Sequence, residues 1–307
     1  MSRIRFSAFA DLHYHPGVFH TQAEERLAAI RQRAIDNHVD FVICCGDFCH
    51  SVRVAEPLLK AYDAFPMPVH HVIGNHDSDR APYAEVLRAF HLDCGHYFFD
   101  QKGFRLIVVD TNYFLDGNQF RHYDGFNYLK HLDTFEMVPP DEVEWLRRTI
   151  DESPYPCVLF SHGSLERLDD VPNVAEILEL IDTANRKCPG KVRLCINGHH
   201  HRDHFRIREN VLFMELNSTS YDYLANAHGF YPKKLIEENT NAHHTIIYTK
   251  PVHAIVTLDT DGTIDIQGMR GEYLMGVTEE MTDNPRYDNA GRPCTPHVSS
   301  LHLKMSY

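Results

Sequence analysis

Six apolar runs of four to seven residues constrain this chain most: Ile4–Ala10, Phe41–Cys45, Val69–Ile73, Leu106–Val109, Cys157–Phe160 and Val192–Ile196. Their length and β-branched content predict buried strands. Helix-like segments lie between several of them. Thr21–Asn37 has Leu27, Ile30, Ala34 and Ile35 near helical spacing, with Thr21 as the expected N-cap. Val52–Ala64, Pro82–Phe90, Pro140–Ile150 and Asn173–Arg186 read the same way. Strands alternating with helices imply an α/β core with partly parallel strands. Later strand-like runs, Val211–Leu216, His244–Tyr248, Val252–Leu258 and Thr263–Gly268, succeed one another with few helices between them. They predict a second, mostly antiparallel sheet, with a hairpin at the "DTDGTI" of Asp259–Ile264. Tyr113–Val138 and Asp222–Ala242 read as long excursions, surface loops or lids or rims over a site, and the tail from Met281 as an extended or disordered arm.

The chemistry lies just past the ends of these runs. Asp11-Leu12-His13 comes after the first, Gly46-Asp47 after the second and Gly74-Asn75-His76-Asp77 after the third. Ser161-His162-Gly163 and Asn197-Gly198-His199-His200-His201 come after the last two. Ligand sites of open α/β sheets lie beyond the carboxyl ends of the strands, so five Asp, Asn and His clusters there point to one shared site. In extended backbone, residues i and i+2 face the same side. Asp11 and His13 can then point into the site together, as can His199 and His201, leaving His200 as the odd member. The neighbouring glycines allow a tight turn and a close approach.

Composition narrows the partners. The formal charge of −13 argues against a broad basic surface for long nucleic acid. It leaves room for a local phosphate site, because bound cations would reverse the field there. Of the eight cysteines, Cys44, Cys45, Cys157 and Cys195 lie in apolar runs, which suits buried reduced thiols better than a disulfide framework. The first residues lack a long apolar stretch, and no run of about 18 apolar residues occurs, so the expectation is a cytoplasmic protein without a membrane span.

The ordered series Asp11-x-His13, Gly46-Asp47, Gly74-Asn75-His76-Asp77, His162 and Gly198-His199-x-His201 resembles the calcineurin-like metallophosphoesterase superfamily. The blocks span about two-thirds of the chain. The resemblance implies a four-layer αββα sandwich, two mixed sheets flanked by helices, over residues 1–275, with 276–307 as a C-terminal extension. It implies two metal ions. Asp11, His13, Asp47 and His201 would hold one, and Asp47, Asn75, His162 and His199 the other, with Asp47 bridging. His76 would protonate the leaving oxygen or position the phosphate alongside Asn75. Asp77 would orient His76 or cap the following helix. The implied chemistry is two-metal hydrolysis, in which cations about 3.5–4 Å apart share a hydroxide that attacks the phosphorus in line. An all-nitrogen-and-oxygen ligand set suits Mn, Fe or Zn without choosing among them. Cys49 reads as a packing residue or a neighbour of the ligands.

Departures from the pattern narrow the substrate. Purple acid phosphatases would have Gly in place of His13 and Tyr in place of His50. Protein phosphatases would carry Asp-Arg-Gly where this chain has "GDFCHSVR", and Glu in place of Asp77. A small phosphodiester or phosphomonoester, cyclic-nucleotide- or nucleotide-like, is the favoured substrate. One alternative is a nuclease, since "GDFCH" is similar to the corresponding block of double-strand-break repair exonucleases, where the His faces the substrate. The other is a non-catalytic metal-binding scaffold, which would be expected to have lost ligands or His76. Tyr14, His15, His50, Asn112 and His200 are plausible rim contacts, and Asn217, Tyr221, His228 and Tyr231 plausible pocket residues.

Overall fold

The computed structural model describes residues 2–18, 20–130, 136–167, 170–223, 231–277 and 296–307. The strands of the first half are β1 (Arg3–Phe9), β2 (Phe41–Cys45), β3 (Val69–Val72), β4 (Tyr97–Gln101), β5 (Phe104–Val108), β6 (Tyr113–Asp116), β7 (Gln119–His122) and β8 (Cys157–Phe160). Then come β9 (Val192–Asn197), β10 (His204–Arg208), β11 (Val211–Glu215), β12 (Tyr221–Tyr223), β13 (Thr245–Ile247), β14 (Ala254–Asp259), β15 (Thr263–Gln267), β16 (Met269–Arg270), β17 (His297–Val298) and β18 (Leu301–Lys304). The helices are α1 (Ala23–Asp36), α2 (Glu56–Asp63), α3 (Tyr83–Ala89), α4 (Pro140–Asp151), α5 (Val174–Lys187) and α6 (Lys233–Glu238). None is long and apolar enough to cross a membrane.

Two six-stranded mixed sheets form the centre, in the orders β18-β15-β14-β1-β2-β3 and β10-β11-β9-β8-β5-β4. Strands β1, β2 and β3 run parallel, as do β5, β8, β9 and β11. The period of two explains the layering. Ile4, Phe6 and Ala8 of β1, Phe41, Ile43 and Cys45 of β2, and Val158 and Phe160 of β8 turn into the core between the sheets. Phe9, Val42 and Cys44 turn outward onto α1, α2 and α3. On the other side Leu159, Cys195 and Phe213 meet α4 and α5. Both faces are buried, which is why these strands read as unbroken apolar runs. Each buried large side chain contributes about 1.5–3 kcal/mol.

Three expectations are corrected. The late strands do not make a sheet of their own. β11 pairs parallel with β9, β14 lies antiparallel beside β1, and β13 pairs with β12 in a separate two-stranded ribbon. β1 and β9 each have a second edge to fill, and these strands fill them. Thr21 does not cap α1. The cap position is Gln22, without a side-chain bond, and the Thr21 carbonyl instead accepts the Arg26 guanidinium at 2.6 Å. Of the tail from Met281, residues 281–295 lie outside the described residues, and beyond them β18 is no free arm but adds to the first sheet beside β15. The hairpin falls where expected, between β14 and β15, with Gly262 at φ +93°. Cys44, Cys45, Cys49, Cys157 and Cys195 are buried free thiols.

Two buried histidines away from the strand ends give the fold an acid sensitivity. The His71 ring stacks on Phe90 at 4.0 Å, and neither of its nitrogens has a hydrogen-bond partner among the described residues. Burial, helped by the positive charges of His70 and His91, lowers its pKa to about 3. Burial and Arg33 likewise lower His253 to about 3. The unfolded chain takes up these protons near pH 6.5, whereas the folded chain refuses them until about pH 3. Each histidine therefore withdraws stability as pH falls from 6.5 towards 3, by about 1.4 kcal/mol per pH unit. His71→Phe should show a shallower loss of urea midpoint between pH 7 and 4.5 than the parent. Equal slopes would contradict the assignment.

Candidate metal centre

The carboxyl ends of β1, β2, β3, β8 and β9 meet at one edge of the sandwich, and the five clusters converge there. Nε2 of His13 lies 2.9 Å from Nε2 of His201, and each is within 3.7 Å of Asp11 Oδ1. Nε2 of His162 lies 3.0 Å from Asn75 Oδ1, and Nδ1 of His199 lies 3.2 Å from the same oxygen. Asp47 stands between these two groups. Its Oδ2 is 3.5 Å from His13 Nε2 and 3.2 Å from His162 Nε2, while Oδ1 accepts the His76 backbone N–H at 2.8 Å. Imidazole nitrogens and carboxylate oxygens packed this closely, with Asp11, His13 and His162 fully buried, suit two cations held side by side.

The backbone reaches this arrangement by a route the i, i+2 argument did not foresee. Asp11, His13, Asp47, His199 and His201 all have φ between +50° and +73°. Left-handed backbone is uncommon outside glycine and costs about 1–2 kcal/mol per residue. Asp11 and His13 therefore reach the site through left-handed turns instead of strand alternation. The β1–β2 pairing continues past the strand ends and fixes them. Asp11 N–H donates to the Gly46 carbonyl at 3.0 Å and His13 N–H to the Asp47 carbonyl at 2.9 Å. The Ser218 and Ser220 hydroxyls hold the Asp11 and Leu12 carbonyls from the other side. Gly74 is required by close approach, since a Cβ there would lie 2.2 Å from the Asp47 carboxylate.

Asp77 neither caps a helix nor touches the His76 ring. Its buried carboxylate accepts the backbone N–H groups of Gly74 at 2.8 Å, Asp47 at 3.1 Å and Cys49 at 2.9 Å, locking the bridging loop. Asp79 is the partner of His76. Its Oδ2 lies 2.7 Å from His76 Nδ1 and 3.3 Å from His50 Nδ1, and its Oδ1 accepts the Tyr128 hydroxyl at 2.9 Å. The other nitrogen of His50 is 2.9 Å from His13 Nδ1, so one chain of contacts links a metal-type histidine to His76. Burial alone would lower the His76 pKa, but Asp47 and Asp79 outweigh it and raise it to about 9. At Asp47 burial is outweighed by His162, His76 and His13, which hold the carboxyl well below the usual range.

The rim sorts the remaining expectations. A cleft of about 380 Å³ beside the cluster is lined by His15, His50, Arg80, Tyr221, Tyr223 and His244. The Tyr221 ring stacks on His13 at 5.3 Å and the Tyr223 ring lies 5.2 Å from His201. Asn112 is buried elsewhere, bonded to the Ile73 carbonyl and Asp110. Asn217 bonds Tyr248 and the His297 carbonyl, and Tyr231 packs in the inter-sheet core. Tyr14 flanks the site through a backbone bridge to Cys49. His200 turns away to Asp170, 2.9 Å from its Oδ2. His228 lies outside the described residues. The described part of the 113–138 excursion buries Phe114, Tyr123 and Tyr128 and brings Tyr128 to Asp79 and Glu136 to His199. Arg80, Tyr223, Asp79 and Glu136 were missed from the sequence. Only Asp79, three residues after His76 and so on the same face of a helical turn, left a readable signal.

The sequence profile described as calcineurin-like phosphoesterase matches residues 4–203. Among solved structures, a dimetal phosphatase from Danio rerio superposes with a TM-score of 0.63 at 15% identity, covering 99% of both chains. GAP50, the anchor in the inner membrane complex of Plasmodium, superposes with a TM-score of 0.56 at 13% identity, covering 92% of both. At these identities the likeness is one of fold. No curated protein matches the chain in sequence.

Proposed function

Since this chain belongs to the calcineurin-like phosphoesterase family, and so to the phosphoester hydrolases, we propose that it cleaves a small phosphodiester or phosphomonoester with the help of two metal ions. The observation that carries this reading is Asp47, whose Oδ2 stands between His13 and His162 and so between the two donor groups. Asp11, His13, Asp47 and His201 would hold one ion, and Asp47, Asn75, His162 and His199 the other. The donors are all nitrogen and oxygen, which accommodates Mn, Fe or Zn. When bound, the ions would supply an activated water at neutral pH and offset the charge of the phosphoryl oxygens.

The chain's own groups do the rest. Asp79 holds Nδ1 of His76, which leaves Nε2 as the ring nitrogen to meet the phosphoryl group. His76 donates a proton to the leaving oxygen, and Asn75 and His76 together orient the phosphoryl group. Tyr221 and Tyr223 wall the cleft with aromatic surface, and Arg80 offers a cation for a second anionic group. A cleft of about 380 Å³ suits a nucleotide-sized ester better than a duplex, as does the formal charge of −13. The nuclease reading remains the alternative because His50 lines the cleft. A scaffold without chemistry is disfavoured, because the donor set and His76 are complete and converge.

Metal-stripped protein should not hydrolyse bis(p-nitrophenyl) phosphate or p-nitrophenyl phosphate, and added Mn²⁺ should restore turnover. Preference for the diester would direct substrate searches to cyclic nucleotides and dinucleotides. Faster cleavage of long single- or double-stranded DNA than of either ester would favour the nuclease. No turnover of any of these with metal bound would overturn the catalytic reading.

A further inference from the structure

Glu136 is completely buried, and neither carboxylate oxygen has a hydrogen-bond partner among the described residues. A carboxyl group buried this way, and raised above its usual pKa by burial and by the neighbouring Asp170, is costly enough to need an explanation. Its position supplies one. Oε1 lies 3.5 Å from Nδ1 of His199, the nitrogen that also faces Asn75 Oδ1 at 3.2 Å and His162 Nε2 at 3.3 Å. One donor atom each from Glu136, His162 and His199 falls within 4.8 Å of the others. Adjacent donors around a six-coordinate ion with bonds of about 2.1 Å stand about 3 Å apart, so Glu136 needs only a small adjustment to share such an ion.

The surroundings are built for the carboxylate. The residue after His162 is Gly163, where a Cβ would come within 2.5 Å of Glu136 Oε2. The backbone at Glu136 is left-handed, with φ +60°, and its N–H donates to the Tyr123 hydroxyl. The next residue, Met137, is tied to the Tyr113 carbonyl at 2.9 Å. The other ring nitrogen of His199 faces Asp170 at 3.8 Å, which leaves Nδ1 to act as a ligand.

We propose that Glu136 is a further ligand of the metal held by Asp47, Asn75, His162 and His199. The proposal rests on the two-metal reading above. It gives that site a second carboxylate and five protein donors, more than the tetrahedral shell that Zn²⁺ favours. The site is thereby tuned towards Mn²⁺ or iron.

The test is stepwise Mn²⁺ binding to the stripped full-length protein, read from free Mn²⁺ by electron paramagnetic resonance and independent of turnover. The wild type should take up two equivalents. Glu136→Gln keeps the shape and suits a buried neutral site, so it should fold. It should weaken one equivalent by about tenfold or more and leave the other unchanged. Its preference for Zn²⁺ over Mn²⁺ at the weakened site should rise. Glu136→Asp, which keeps the charge but withdraws it by one methylene, should weaken the same equivalent less. If Glu136 were only a neutral acid facing Asp170, Gln would bind both equivalents as the wild type does, and that result overturns the proposal. Wild-type protein taking up fewer than two equivalents overturns the two-metal reading, and the ligand assignment with it.

Discussion

Asp47→Asn should lose essentially all phosphoester hydrolysis, by about three orders of magnitude or more, well beyond the ~10–100-fold that losing a hydrogen-bond partner of a ligand costs. The amide keeps the volume and the contact to the His76 N–H. It removes the negative charge that faces His13 and His162, so both donor groups lose their common member at once. The unfolding temperature of the metal-free protein should change little, because the substitution is isosteric and removes buried charge. The measurement pairs metal content after dialysis with initial rates. Wild-type rates in a folded Asp47→Asn protein would remove Asp47 from the site.

His76→Ala should lower kcat by about 10²–10⁴-fold, the range for a general acid, while metal content stays at the wild-type level. Asp79→Asn tests the same hydrogen-bond chain one step back. Asp79 touches no reacting atom, so it is a positioning residue, and its loss should cost less than that of His76. The pH profile separates the two roles. His76 is raised to about 9 by Asp47 and Asp79 against burial. Cations on Asp47 would cancel part of that elevation, while the Asp79 share would persist. The basic limb of kcat, where His76 loses its proton, should therefore lie below pH 9 in the metal-loaded enzyme. In Asp79→Asn the basic limb of kcat should move to lower pH. An unmoved limb would mean that His76 is not the acid, even if the rate falls.

Much of the site was legible because the strands that carry it are buried on both faces. Such strands read as unbroken apolar runs with sharp ends, and the polar cluster after each end is a candidate for the sheet edge. That logic brought Asp11, Asp47, Asn75, His162 and His199 to one place. The i, i+2 reasoning for His13 and His201 reached the right neighbourhood by the wrong backbone, because alternation cannot reveal a left-handed turn. Pairing partners were not legible either. Val211–Glu215 looks the same whether it joins β9 in parallel or heads an antiparallel sheet, since periodicity records burial and not neighbours. Tyr128 and Glu136 come from an excursion with no fixed spacing to the motifs, so only the folded chain places them beside Asp79 and His199.

The most direct test of two-metal hydrolysis is a titration of Mn²⁺ into stripped wild-type protein, with bound metal and bis(p-nitrophenyl) phosphate hydrolysis measured in the same samples. Uptake of two equivalents is expected, with turnover rising to its plateau only as the second binds. Full turnover with one equivalent or none would contradict a two-metal mechanism.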